Sequence, residues 1–153
     1  MRHFIRSLIV TAALATLASA LSVYPHELAY FNELAGGPRN GHLHLLHSNL
    51  DWGQDLLRAA EWERQHPMAT PSYHLLMCLY DARMIGVQSS NLLTPYLCEF
   101  LLEKASKQEI FLLLSKQMML EQSECLSRFD SRVIDTIGMS IVVISIRAQQ
   151  SHG

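Results

Sequence analysis

Charged residues are scarce in this chain of 153 residues, at 17% of the total, and basic residues are nowhere clustered. Twelve basic residues against fourteen acidic ones leave a formal net charge of -2. A protein that binds a nucleic acid needs a concentrated positive surface to attract the phosphate backbone. The composition therefore argues against a nucleic-acid partner.

Cysteine is also scarce, with only Cys78, Cys98 and Cys125 in the chain. Their odd number and wide spacing argue against a disulfide framework and against a Cys-x-x-Cys zinc site. Cys78 lies in an apolar run and is expected to be a small buried hydrophobe. A bridge between Cys98 and Cys125 stays open for an oxidising compartment, because the sequence contains no distance between the two side chains.

The common catalytic motifs are missing as well. The chain has no Gly-x-Ser-x-Gly nucleophile motif, no Walker phosphate-binding loop and no His-Glu-x-x-His zinc motif. A triplet of His42, His44 and His47 invites a zinc interpretation, but only the first two would share a face of a strand. No cysteine or carboxylate supports them, so surface or hydrogen-bonding histidines are favoured. We expect no metal and no cofactor.

What the chain does contain is an apolar N-terminal segment behind two basic residues. Arg2 and Arg6 precede a charge-free run over residues 7–23. Its apolar part, residues 9–23, is at the short end of what crosses about 30 Å of hydrocarbon at 1.5 Å per residue. Three interpretations are open, namely a cleaved secretory signal, a retained membrane anchor and a buried core helix.

Small residues at Ala18 and Ala20 have the spacing of a signal-peptidase site, which predicts cleavage near Ala20. A retained anchor would instead place Arg2 and Arg6 on the cytoplasmic side and Tyr24 at the opposite interface. Both interpretations put the rest of the chain outside the cytoplasm. A core helix is disfavoured, because a large core would have to cover it on all sides. We predict a single-pass membrane protein, with secretion as the alternative.

Residues 24–47 are expected to form a membrane-proximal helix and a connection. Pro25 suits the first turn of a helix, and apolar residues at helical spacing continue to Ala35. Residues 36–38, Gly-Gly-Pro, end this helix. Its apolar stripe could lie on the domain or on the bilayer surface.

Residues 48–55 are predicted to lead into a second helix that runs to about His66 and is stopped by Pro67. Asp51 is the expected N-cap, with Gln54 reaching back in a capping box. Asp55 adds a favourable charge near the positive end of the helix. Capping thus explains these three polar residues without a ligand.

Capping does not explain Asn49 or Trp52. A tryptophan among amides and carboxylates at the start of a helix is typical of a site for a carbohydrate or another polar ligand, where the ring stacks and the carboxylates accept hydroxyl hydrogens. Trp52 as a core anchor is the competing interpretation. The predicted ligand-binding residues are Asn49, Asp51, Trp52, Gln54 and Asp55.

Three apolar segments predict strands that alternate with helices. Such alternation predicts an α/β layered domain, here with a mainly parallel sheet of about three strands. The strands are expected at residues 72–80, 109–115 and 133–147, the last bent at Gly138, and the intervening helices at 94–104 and 118–128. The predicted organisation is an anchor or signal at 1–23, a membrane-proximal segment at 24–47, an extracytoplasmic domain at 48–147 and a tail at 148–153.

The stretch from Tyr24 to Leu56 carries a family resemblance. It contains Tyr-Pro at 24–25, LAYFNE at 28–33, LAGGP at 34–38 and SNLDWGQDL at 48–56. In these motifs the chain resembles the C-terminal part of bacterial polytopic glycosyltransferases that use lipid-linked sugars and are related to dolichyl-phosphate-mannose protein mannosyltransferases. The segment IGMSIVVISI at 137–146 is similar to the closing strand of their extracytoplasmic α/β domain.

The resemblance implies an extracytoplasmic domain behind a last transmembrane helix. Relatives of this kind place their catalytic acid between early transmembrane helices and bind the donor among many helices, whereas this chain has at most one. His47 also stands where the family pattern often has aspartate. The resemblance therefore implies an accessory or remnant domain without catalytic residues, attached to the membrane and partnered by a multi-helix glycosyltransferase subunit. The alternative is a secreted or anchored module that binds a carbohydrate or another polar ligand.

Overall fold

The computed structural model describes residues 2–24, 36–37, 40, 52–76, 81–92 and 96–148. The predicted membrane-proximal helix, the three histidines at 42, 44 and 47, and the site residues Asn49 and Asp51 lie outside these ranges, as does Cys78. The described part contains an N-terminal apolar helix and a mixed five-stranded sheet with helices. The expected α/β class is confirmed.

Helix α1, Arg2–Val23, is 22 residues long, and no residue in its most apolar stretch of 18 residues is buried. At 1.5 Å per residue it measures about 33 Å, which matches the hydrocarbon core of a bilayer. The helix includes Arg6, so it is longer than the charge-free run alone. Its exposure is incompatible with a buried core helix. The remaining interpretations are a membrane anchor and a signal sequence.

The sheet has the strand order β2-β1-β3-β5-β4. Strand β1 pairs in parallel with both β2 and β3, whereas β5 pairs antiparallel with β3 and β4. The strands are β1 Ser72–Leu75, β2 Ser90–Asn91, β3 Ile110–Ser115, β4 Phe129–Ile137 and β5 Ile141–Ala148.

The prediction of about three mainly parallel strands was wrong. What was expected to be one strand over 133–147 is a hairpin, because the chain reverses at Gly138 and Ile137 pairs with Ile141. Both arms are rich in β-branched residues, so the apolar pattern runs through the turn almost without a break. Strand β2 has only two residues, and both are exposed, which leaves no pattern to detect.

The helices of the domain follow the predictions more closely. Helix α2, Leu56–Gln65, ends one residue before the predicted His66. Helix α3, Leu97–Ala105, matches the segment expected to end near Lys104. The single helix expected over 118–128 is two short helices, α4 Lys116–Glu121 and α5 Ser123–Leu126. The described part of the domain also contains a 3-10 helix at Ala82–Ile85.

The core is divided between the two faces of the sheet. Side chains alternate along β3, so Leu112 points to one face and Leu113 to the other. On the α3 face, helices α3, α4 and α5 bury Leu112, Leu114, Val142, Ile144 and Ile146. On the α2 face, helix α2 covers Leu113, Ile137, Ile141 and Val143.

Candidate functional site

Residues 52–55, which lead into α2, lie against the turn between β4 and β5, at the end of the sheet where β3 stops. Asp55 bonds to this turn, and the amide of Lys116, directly after β3, donates to the carbonyl of Ser140 at 2.8 Å. Open α/β sheets commonly bind ligands where their parallel strands end. This edge is therefore the candidate site.

Asp55 is fully buried, with 0% of its surface exposed. Its Oδ2 accepts hydrogen bonds from the amides of Met139 at 2.9 Å and Ser140 at 3.1 Å, and from the Ser140 hydroxyl at 2.9 Å. The Nε of Arg58 lies 3.9 Å from Oδ1. A buried carboxylate needs such donors to offset the loss of its hydration. Asp55 thus ties the start of α2 to the hairpin turn.

Gly138 makes this contact possible. A Cβ atom at this position would collide with the carboxylate of Asp55. The residue also has a φ of +58°, in the left-handed region that other residues rarely adopt. The predicted bend at Gly138 is thus a close approach of the turn to Asp55, 83 positions earlier in the sequence.

Helix α2 begins later than predicted. Helix α2 begins at Leu56, so Asp55 occupies the N-cap position, and its side chain makes no capping bond. The Oε1 of Gln54 instead accepts from the amide of Trp52 at 2.7 Å. The position predicted for Gln54, in the first turn of the helix, was wrong, because the helix starts two residues later, at Leu56.

Trp52 is the predicted site residue that faces outward, with 56% of its surface exposed. It is therefore not a core anchor. Of the five predicted ligand-binding residues, the structure describes Trp52, Gln54 and Asp55. It brings them together in one turn, with Asp55 inside the protein and Trp52 outside it.

A second polar network lies beneath α2. The carboxylate of Glu63 accepts from the backbone amides of Gln88 and Ser89, the latter at 3.1 Å. The Ser89 hydroxyl lies 3.1 Å from Nδ1 of His74, which is only 2% exposed. Burial lowers the pKa of His74 from its ordinary value of 6.5, although Ser89 and the nearby charges of Glu63 and Asp81 act in the opposite direction. The network joins α2, β1 and the segment before β2.

Trp62 makes the third polar link between α2 and the sheet. Its Nε1 donates to Oδ2 of Asp135 in β4 at 2.8 Å, and its ring stacks on His66 with centroids 4.3 Å apart. Sequence reasoning missed Glu63, His74 and Asp135 as polar contacts. The signal for His74 was its place as the one polar residue inside an apolar strand.

Cys98 and Cys125 form a disulfide, with their Cα atoms 5.7 Å apart. The bond joins α3 to α5 on the α3 face. This is the pairing that the sequence left open for an oxidising compartment.

Chemically, the edge at residues 52–55 offers one exposed aromatic ring beside a buried carboxylate that is bonded to the hairpin turn. In the described ranges, no three histidine, cysteine, aspartate or glutamate side chains lie close enough together to hold a metal ion. No family model, curated protein or solved structure matches this chain.

Proposed function

We propose that this chain is a membrane-attached, extracytoplasmic domain that acts as an accessory or remnant domain of a lipid-linked-sugar-dependent glycosyltransferase and transfers no sugar by itself. The observation that carries the proposal is the exposed apolar helix α1, which ends directly before the segment with the glycosyltransferase-like motifs. Arg2 and Arg6 at its start favour an N-terminus in the cytoplasm and a domain outside it.

Two further observations support the proposal. The Cys98–Cys125 disulfide suits an oxidising compartment, where such bonds persist. The carboxylate of Asp55 is buried and bonded to the hairpin turn, so it is not poised to act as a base on an acceptor. The first observation fits an exported domain, and the second fits a structural role for Asp55.

The experiment is purification of the tagged full chain from its native membranes in a mild detergent. We expect a polytopic membrane protein to co-purify, and we expect sugar transfer from a polyprenyl-linked donor only when both proteins are present. Trp52→Ala should weaken this association, whereas Tyr96→Ala, which removes an aromatic ring with 63% exposure elsewhere on the domain, should not.

Two results would contradict the proposal. One is sugar transfer by the purified chain alone. The other is the absence of any co-purifying polytopic protein under conditions in which α1 stays in the membrane.

The exposure of Trp52 favours a second candidate, a module that binds a carbohydrate or another polar ligand by stacking on that ring. The two candidates differ in what they need. The binding module would bind free oligosaccharides in calorimetry without a partner, and Trp52→Ala would abolish the heat of binding. N-terminal sequencing adds a second test, since a mature chain that begins at Leu21 indicates secretion and an intact N-terminus indicates the anchor.

A further inference from the structure

An open cleft of about 600 Å³ occupies the part of the α2 face that helix α2 leaves uncovered. A smaller apolar cavity of about 330 Å³ adjoins it, because Phe111 and Ile134 line both. Volumes of this size are typical of sites for small ligands. The apolar cavity is open to solvent and is lined chiefly by Trp62, His66, Pro67 and Met68, at the end of α2.

The strand register arranges the floor of the cleft in rows. Phe111, Ser145 and Arg132 lie opposite one another on β3, β5 and β4 and form the middle row. Val143 and Asp135 lie one row closer to α2. Asp135 accepts a hydrogen bond from Trp62, and the ring of Trp62 borders the apolar cavity. Rows on one face of a sheet are about 7 Å apart. Arg132 therefore stands about one row from the apolar cavity.

The outer row, which is farthest from α2, consists of Glu109, Arg147 and Asp130, and its charges interact with one another. Arg147 donates to Glu109 at 2.6 Å and lies opposite Asp130. Arg147 and the Ser145 hydroxyl lower the pKa of Glu109, while Glu109 and Asp130 raise that of Arg147. This row holds two carboxylates and one guanidinium, so it carries a net negative charge.

Arg132 is the exception among the charges of the cleft. Within the described ranges, its guanidinium has no ion-pair or hydrogen-bonding partner, whereas Arg147 and Glu109 bind each other. A guanidinium is a fork of donors that matches a carboxylate or a phosphate. Along β4, Arg132 stands between Asp130 of the outer row and Asp135, whose carboxylate accepts hydrogen bonds from Trp62 and from the Thr136 amide. Among the described residues, the cleft thus presents a cation without a bound partner, with the apolar cavity on one side and the negative outer row on the other.

We propose that the cleft and its adjoining cavity bind an organic monoanion, with a carboxylate or phosphate monoanion on Arg132 and an apolar group in the cavity beside Trp62. The negative outer row disfavours a second anionic group. The ligand lies on the sheet face and does not extend the edge strand β4, because a β-bulge between Val133 and Asp135 interrupts the ladder that an added strand would need.

The test uses the full chain in nanodiscs of a neutral phosphatidylcholine lipid. Of the two tryptophans, Trp52 is replaced by phenylalanine, so that fluorescence reports only Trp62. The probes are 3-phenylpropionate, the neutral 3-phenylpropanol and the dianion phenylsuccinate. We expect a saturable change in Trp62 emission with 3-phenylpropionate and affinities at least about tenfold lower for the other two, since a charge-assisted bidentate contact is lost or a second charge is repelled.

Arg132→Gln should lower the affinity for 3-phenylpropionate about tenfold or more and leave the affinity for 3-phenylpropanol unchanged. The side chain is on the surface, so the variant should fold. Arg128→Gln is the matched control, because Arg128 is also exposed but pairs with Glu124. Equal binding of the acid and the alcohol, an equal effect of both substitutions, or no probe binding at all would overturn the proposal.

A second arm identifies the source of the anion. Nanodiscs that contain an anionic phospholipid should change Trp62 emission and compete with 3-phenylpropionate if the natural ligand is a lipid head group. Binding of 3-phenylpropionate that is unaffected by the anionic lipid assigns the site to a soluble monoanion. Both results support the site and differ only in where its ligand comes from.

Discussion

The two faces of the sheet are covered to different extents. On the α3 face, three helices and a disulfide cover β3 and β5, so Leu112, Leu114 and Ile144 are nearly or fully buried. On the α2 face, helix α2 and the 3-10 helix leave part of the sheet uncovered, and Phe111, Ile134 and Arg132 remain at the surface of the cleft. Neighbouring residues of one strand therefore serve different purposes, with stability on one face and an accessible surface on the other.

The largest expected effect tests this difference within β3. Leu112→Ala should lower the free energy of unfolding by about 4 kcal/mol, because Leu112 is 0% exposed and its removal leaves a cavity. Phe111→Ala, at the next residue, should cost less than about 1.5 kcal/mol, since its ring lines an open cleft. Urea unfolding of both variants measures the two values. Similar losses would mean that the α2 face is as closed as the α3 face.

The disulfide on the α3 face should contribute the next largest effect. Cys98→Ala combined with Cys125→Ala should lower the free energy of unfolding by about 3 kcal/mol, since the bond closes a loop with a sequence separation of 27. The loss is measured against the oxidised chain in thermal unfolding. A reducing agent should destabilise the parent to a similar degree and leave the double variant unchanged, and a response of the double variant would assign the effect to something other than this bond.

The part of the α2 face next to the hairpin turn depends on the contact between Asp55 and that turn. Gly138→Ala should lower the free energy of unfolding by about 2.5 kcal/mol, from left-handed backbone strain and from the displaced carboxylate. Gly86→Ala is the control, because Gly86 also has a positive φ, +97°, but has room for a Cβ. It should cost about 1 kcal/mol. Equal losses would show that Asp55 does not restrict the turn.

The smallest expected effect is the pH dependence that His74 adds to the region under α2. Its folded pKa is below the ordinary value of 6.5, so the folded state binds this proton less readily than the unfolded chain. The contribution to stability is complete above about pH 6.5 and is lost as the pH falls below it. Burial outweighs the opposing charges of Glu63 and Asp81, while Arg83 acts with it.

Unfolding at pH 7.5 and pH 5.5 measures this dependence. His74→Asn should flatten the loss of stability over that range. A slope that survives His74→Asn would assign the acid sensitivity to other groups.

Local chemistry was sufficient to predict some elements. Strand β3 was predicted within one residue, because its apolar run is bounded by polar residues on both sides. The end of α2 was predicted as closely, since Pro67 cannot continue a helix. The hairpin was not predicted, because a three-residue turn between two β-branched strands resembles a bend in one long strand. The candidate site was predicted only in part, as Trp52 and Asp55 have opposite exposures that no local pattern distinguishes.

By itself, the sequence determined that this protein has an apolar N-terminal helix and an α/β domain, because periodicity and side-chain type act over a few residues. Only the tertiary structure decided that Asp55 binds the turn at 139–140, that Trp62 reaches Asp135 and that Cys98 meets Cys125. These contacts join residues 27 to 85 positions apart. Contacts across such sequence separations form only when the helices pack on the sheet. Burial then determines that the carboxylate of Asp55 is held inside the protein and that the guanidinium of Arg132 stays accessible in the cleft.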